Sequence, residues 1–185
     1  MRELIEVRWH GLGGMGAVTS ADLFASAAIS EGKFAQSFPS FGIERRGAPV
    51  VAFLRIADQF IRTRNNITTP DVIIVFTPNL FNQIGVLDGL KDSGKLIVNS
   101  SKLPNELKSE LKLKGLVFTV NASRIAMETI KLPIYNTAMM GALQKATKTV
   151  KMESLEAQIR ARFGDRADSN IEAMRIAYSQ TAKGD

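Results

Sequence analysis

Trp9-His-Gly-Leu-Gly-Gly-Met-Gly-Ala-Val-Thr-Ser20 is the stretch from which the fold can be read. Before it, Ile5, Val7 and Trp9 alternate with charged residues, the period of a half-buried strand. After it, Ala17 to Ile29 is apolar, alanine-rich and free of proline, as a helix covering a sheet would be. The turn therefore joins a strand to a helix. Gly11, Gly13 and Gly16, with Gly14 between them, fit the spacing G-x-G-x-x-G. Glycine at those places permits positive φ and lets another backbone, or a phosphate, approach the helix N-terminus. A dinucleotide site also requires an acidic residue about 20 positions further on, at the end of the second strand. Glu31 falls at a helix end, Glu44 in a polar loop, and Asp58 comes too late, so the spacing alone argues against NAD or FAD.

Outward from the turn, Gly32 is a natural helix stop and Phe34 to Phe38 reads as a short strand ended by Pro39. The loop Ser40-Phe-Gly-Ile-Glu-Arg-Arg-Gly47 follows, and Val50 to Ile56 reads as a buried strand with Pro49 at its start. Residues 57–69 are polar and irregular. Asp71 to Phe76 is the clearest central strand, β-branched after its first residue. A short helix over 80–90, a strand at Leu96 to Val98, a helix from Pro104 to Leu113 and a strand from Leu116 to Val120 complete the alternation.

Repeated strand and helix predict an α/β layered single domain, 1–185, with a mostly parallel sheet, the glycine turn after the first strand and a helical C-terminal part. In that part Ser123 is the expected cap of a helix to Ile130, and Asn136 of one through Ala146. Further helices are expected at Met152 to Phe163, with Glu156 four before Arg160, and at Ser169 to Tyr178. Gly141 is costly inside a helix and signals close packing, and Met139 and Met140 are expected in the core.

Composition excludes several chemistries. At 185 residues the chain can bury a continuous core, and it contains no cysteine, so disulfides, thiolate metal sites and a cysteine nucleophile are ruled out within it. A metal site or a serine triad would have to use His10, the single histidine. No apolar run is long enough for a membrane span, which leads to the expectation of a soluble cytoplasmic protein. The net charge of +6 falls mostly in the second half without interleaved aromatic residues, favouring a solvated or protein-facing basic surface over nucleic acid. His10 ends the first strand, where ligand sites of open α/β sheets collect, although satisfaction by neighbouring backbone is the simpler expectation. Glu44, Arg45, Arg46 and Gly47 read equally as a ligand grip, a subunit contact or a solvated loop.

Taken together, His10-Gly-Leu-Gly-Gly-Met-Gly16, Gln36-Ser-Phe-Pro39, Phe41-Gly42, Glu44-Arg-Arg-Gly-Ala-Pro-Val50 and Pro70-Asp71 resemble the gamma subunit of pyruvate:ferredoxin oxidoreductases. Asn136, Met140-Gly-Ala-Leu143 and Asn170 extend the resemblance into the helical tail, so it covers nearly the whole chain. It implies a component, not catalytic alone, of an enzyme that decarboxylates a 2-oxo acid, reduces ferredoxin and forms acyl-coenzyme A. It places thiamine diphosphate and iron–sulfur clusters on partner subunits, which suits a chain without cysteine. His10, Gly11, Gly13, Gly14, Gly16, Glu44, Arg45, Arg46 and Gly47 are the candidate ligand or subunit-interface residues, with Glu44 to Gly47 expected near the glycine turn, where coenzyme A would meet the other subunits. Leu12 and Met15 stand where family turns commonly carry arginine and glutamine, and they offer packing surface instead of polar contacts. The alternatives are a stand-alone nucleotide-binding module, and the gamma subunit of an indolepyruvate or 2-oxoisovalerate enzyme.

Overall fold

The structure, a computed structural model, describes residues 4–40, 47–82 and 85–185. Strand β1 (Ile5–Leu12) runs into the glycine turn and helix α1 (Ala17–Ser30). Then come β2 (Phe34–Pro39), β3 (Pro49–Ala57), β4 (Val72–Val75), β5 (Lys95–Asn99), α2 (Pro104–Glu110) and β6 (Leu116–Val120). Helices α3 (Ala122–Thr129), α4 (Asn136–Thr147), α5 (Met152–Phe163) and α6 (Ala167–Gln180) precede a two-residue strand, β7 (Ala182–Lys183). The strands form one sheet in the order β2-β3-β1-β4-β5-β6-β7.

The expected parallel sheet is its four-strand centre, β1-β4-β5-β6, while β3, β2 and β7 add antiparallel margins. The margins differ because the link from β2 to β3 is short enough for a hairpin-type return, whereas the central strands need long crossovers. β7 is too short to leave a periodic signature in the sequence. A helix does not form over 80–90: Pro78–Asn82 make one 3₁₀ turn, residues 85–90 are turns, and Gln83 and Ile84 lie outside the described residues. Gly85 and Gly89 take positive φ, +91° and +72°, a backbone conformation that an α-helix cannot continue through.

The helical caps also correct the sequence reading. Asn121, not Ser123, caps α3 by accepting from the Arg124 amide at 3.0 Å, and Ser123 instead contacts Asn99. Tyr135 occupies the cap position of α4, with Asn136 its first residue. Glu156 pairs with Arg175 of α6, and Arg160 with Asp168, because the α5–α6 hairpin brings better-aligned partners than the same-helix neighbour.

One sheet face carries Val7, Trp9, Leu54, Ile74, Ile97 and Phe118 and is covered by α1, α4 and α6. Met139 and Met140 are fully buried in this layer. Gly141 lies where α4 meets α6: a Cβ there would fall 2.1 Å from the Met174 carbonyl oxygen. The spacing of small residues thus sets how closely the two helices approach.

The other face of β1 is buried as well, unlike the half-buried strand that alternation suggests. The irregular 58–69 segment folds back over it, burying Ile61 and Ile67, and meets Arg55, which is 1% exposed. Arg55 Nε donates to Glu6 Oε1 at 2.8 Å, Nη2 reaches Asn65 Oδ1 at 3.3 Å, and the guanidinium lies over the Phe38 ring at 5.6 Å. Removing one partner of a largely desolvated pair strands the other charge. Glu6→Ala is therefore expected to cost about 2 kcal/mol, discounted for the partial exposure of Glu6. Asp92→Ala, at an ion pair with Lys114 that is mostly in solvent, should cost well under about 1 kcal/mol. Urea denaturation of both variants checks the difference.

Candidate functional site

Chain reversal between β1 and β4 makes their carboxyl ends the switch point of the sheet, where open α/β folds gather ligands. The glycine turn lies there. Gly16 adopts φ +82° at the N-cap of α1, and a Cβ on it would come 2.9 Å from Asn136 Nδ2, so glycine is required both by conformation and by the approach of α4. Gly11 is buried against Ala17 and Phe76, and Gly14, at φ +94°, is exposed.

Much of the turn's polar backbone is already engaged. Gly13 N–H donates to Ala48 O at 2.8 Å, Gly47 N–H to Gly13 O at 3.1 Å and Met15 N–H to Leu12 O at 3.0 Å. The sequence-distant Gly47 is thereby fixed against the turn. Glu44, Arg45 and Arg46 lie outside the described residues. Met15 folds inward, its sulfur 3.4 Å from the Leu12 amide and 3.5 Å from the Tyr135 hydroxyl, while Leu12 packs on the second core cluster. Both residues act as packing surface. β1 has antiparallel β3 as its neighbour where a dinucleotide fold would put a parallel second strand, and β2 ends in Phe38-Pro39 without an acid.

Beside the turn, the ends of β4, β5 and β6 form a polar cluster absent from the sequence reading. Asn99 Nδ2 donates to Phe76 O at 2.9 Å and to Ser123 Oγ at 2.8 Å. Tyr135 stands against both side chains; burial raises its phenol pKa, while those hydrogen bonds pull it down. Asn136, 3% exposed, has its Oδ1 buried without a hydrogen-bond partner. Strand-terminal polar residues facing one switch point were the available signal, but only the strand order brings them together.

His10 is not satisfied by backbone as expected. Its Nε2 accepts from Arg8 Nε at 2.9 Å, since both side chains project from the same face of β1 two residues apart. A guanidinium N–H cannot accept, so the neutral imidazole carries its proton on Nδ1. Burial, and then the Arg8 charge, push the His10 pKa down to about 4. Arg8 Nη2 donates to the carbonyls of Val86 at 3.0 Å and Asp88 at 2.7 Å, tying the 85–88 segment to the sheet. Burial lowers the Arg8 pKa, with Asp88 opposing.

No cluster of histidine, cysteine, aspartate or glutamate suited to a metal occurs among the described residues, and the absence of cysteine leaves no thiolate set for an iron–sulfur cluster. No helix among them is long and apolar enough to cross a membrane.

Residues 6–180 match the pyruvate ferredoxin/flavodoxin oxidoreductase family. The chain is 49% identical over 180 residues to the pyruvate/ketoisovalerate oxidoreductases common subunit gamma of Pyrococcus furiosus, covering 96% of this chain and 97% of that one. It is 42% identical over 181 residues to pyruvate synthase subunit PorC of Methanocaldococcus jannaschii, covering 97% and 98%. The crystal structure of pyruvate oxidoreductase subunit PORC from Thermotoga maritima superposes with a TM-score of 0.88 at 33% identity, over the whole of both chains. The chain belongs to the pyruvate ferredoxin/flavodoxin oxidoreductase family. Its place there is that of the gamma subunit of a multi-chain 2-oxoacid:ferredoxin oxidoreductase.

Proposed function

We propose that this gamma subunit serves a cytoplasmic pyruvate synthase, and that it helps form the mouth through which coenzyme A reaches the reacting acyl group. Thiamine diphosphate and the clusters that pass electrons to ferredoxin belong, in this reading, to partner subunits. This chain supplies binding and assembly surface and no catalytic residue. The observation that supports the reading is the pair of hydrogen bonds joining Gly13 to Gly47 and Ala48, which anchors Gly47 at the carboxyl end of β1. His10, Gly11, Gly14 and Gly16 belong to the same strand end and turn.

Coenzyme A carries a 3′-phosphate and a diphosphate, and arginine meets such groups with charge-assisted hydrogen bonds of about 1.5–3 kcal/mol each. Arg45→Ala or Arg46→Ala in the assembled complex should raise the KM for coenzyme A by roughly tenfold or more per lost contact, leaving the KM for pyruvate nearly unchanged. Assembled complexes with an unaltered coenzyme A constant would remove these arginines from the site. Loss of assembly would instead assign them to a subunit contact. A 2-oxoisovalerate enzyme is the second reading, favoured by the Pyrococcus furiosus relative, which is named as common to pyruvate and ketoisovalerate oxidoreductases.

A further inference from the structure

Beneath the 66–68 and 85–88 segments, on the sheet face opposite α1 and α4, lies a cavity of about 470 Å³. We propose that it is a binding site for a small organic carboxylate with an apolar body. Its volume lies within the range of small-molecule sites, roughly 300–1,000 Å³.

The polar end of the cavity is Arg8 and His10, each 7% exposed. Arg8 spends Nε on His10 and Nη2 on the carbonyls of Gly85, Val86 and Asp88, all neutral acceptors. No carboxylate comes within ion-pair distance of it among the described residues. Asp88, the one acid lining the cavity, is exposed at the rim. A buried guanidinium held only by neutral groups retains an attraction for an anion.

Two donors are left for that anion among the described residues: Arg8 Nη1 and His10 Nδ1, the latter protonated because Nε2 is committed to Arg8. Two donors suit the two oxygens of one carboxylate. The remaining wall includes Val51, Phe53, Ile67, Leu80 and Val86. Such a wall gains from covering hydrocarbon, a gain a free phosphate cannot supply, and the polar side chains beside it are Ser40, Asn66 and Thr68. The cavity shares His10 and Gly11 with the strand end of the coenzyme A reading, but the carboxylate site rests on Arg8 and the imidazole and is tested with no coenzyme A present.

The single histidine makes the test direct. Nitrogen-15 spectra of the imidazole in the full chain at pH 7 report on Nδ1 without overlap. Titration with 3-methylbutanoate should move the Nδ1–H resonance saturably. The neutral isostere 3-methylbutanamide should bind at least about tenfold more weakly, and inorganic phosphate should cause no saturable shift. Val51→Phe, which fills the cavity from the position directly across from His10 on β3, should abolish the carboxylate response while the imidazole, still accepting from Arg8 on Nε2, keeps its tautomer. The proposal is overturned by any of three results: no saturable response to the carboxylate, an equal response to the amide or phosphate, or an undiminished response in Val51→Phe.

Discussion

Gly141→Ala is expected to destabilise the chain by about 3 kcal/mol or more, although alanine is the better helix former by about 1 kcal/mol. The added methyl would have to lie 2.1 Å from Met174 O and 3.0 Å from Met174 C, both backbone atoms of α6. No rotamer change relieves a clash between a Cβ and a neighbouring main chain, so α4 and α6 must separate. That separation opens contacts around Met139, Met140, Ala173 and Ala177, all fully buried. Large core effects arise in this way, from overpacking that the surroundings cannot absorb. Thermal and urea unfolding measure the loss. Stabilisation by alanine, the sign given by helix propensity alone, would mean the helices have room to spare.

The second large effect is in pH. His10 has a pKa near 4 in the folded chain against an ordinary value of 6.5, so the unfolded chain takes up a proton that the folded chain refuses. Stability is then complete above pH 6.5 and declines as the pH falls toward 4. At about 1.4 kcal/mol per pH unit the loss over that interval reaches about 3 kcal/mol. The mechanism is local: a charged imidazole could no longer accept from Arg8 and would sit beside its guanidinium in a buried place. His10→Gln keeps a polar side chain and has nothing to titrate, so its stability should vary less over the same interval. Urea midpoints of both proteins between pH 7.5 and 4.5 give the comparison, in which the background of titrating carboxylates cancels. Parallel curves would show that His10 accepts a proton at little cost.

Local patterns made much of this architecture legible. The strand-turn-helix around Gly11 to Gly16, the central strand at Val72–Val75 and the close approach at Gly141 each follow from nearest-neighbour chemistry. The pairing of Arg8 with His10 is also local, since a period of two puts both on one face of β1. What could not be read were features created by long-range return of the chain. The cluster of Asn99, Ser123 and Tyr135 unites three segments whose order in the sheet no local pattern specifies. Likewise, burial of the polar face of β1 depends on 58–69 folding back, and those residues alone look like exposed loop. The family resemblance pointed to the glycine turn, but it carried no information about the Arg8 cavity.

The strand order has a kinetic consequence. Since β1, β2, β3 and α1 are consecutive in the chain, the antiparallel half of the sheet and its covering helix can form by short-range closures once residue 57 has been made. The parallel half joins the first when Val72 returns to lie beside Val7, and β5, β6 and β7 then extend it each on the strand before. Assembly therefore grows outward from the first strand synthesised, and the glycine turn at its end exists before most of the surface that will surround it.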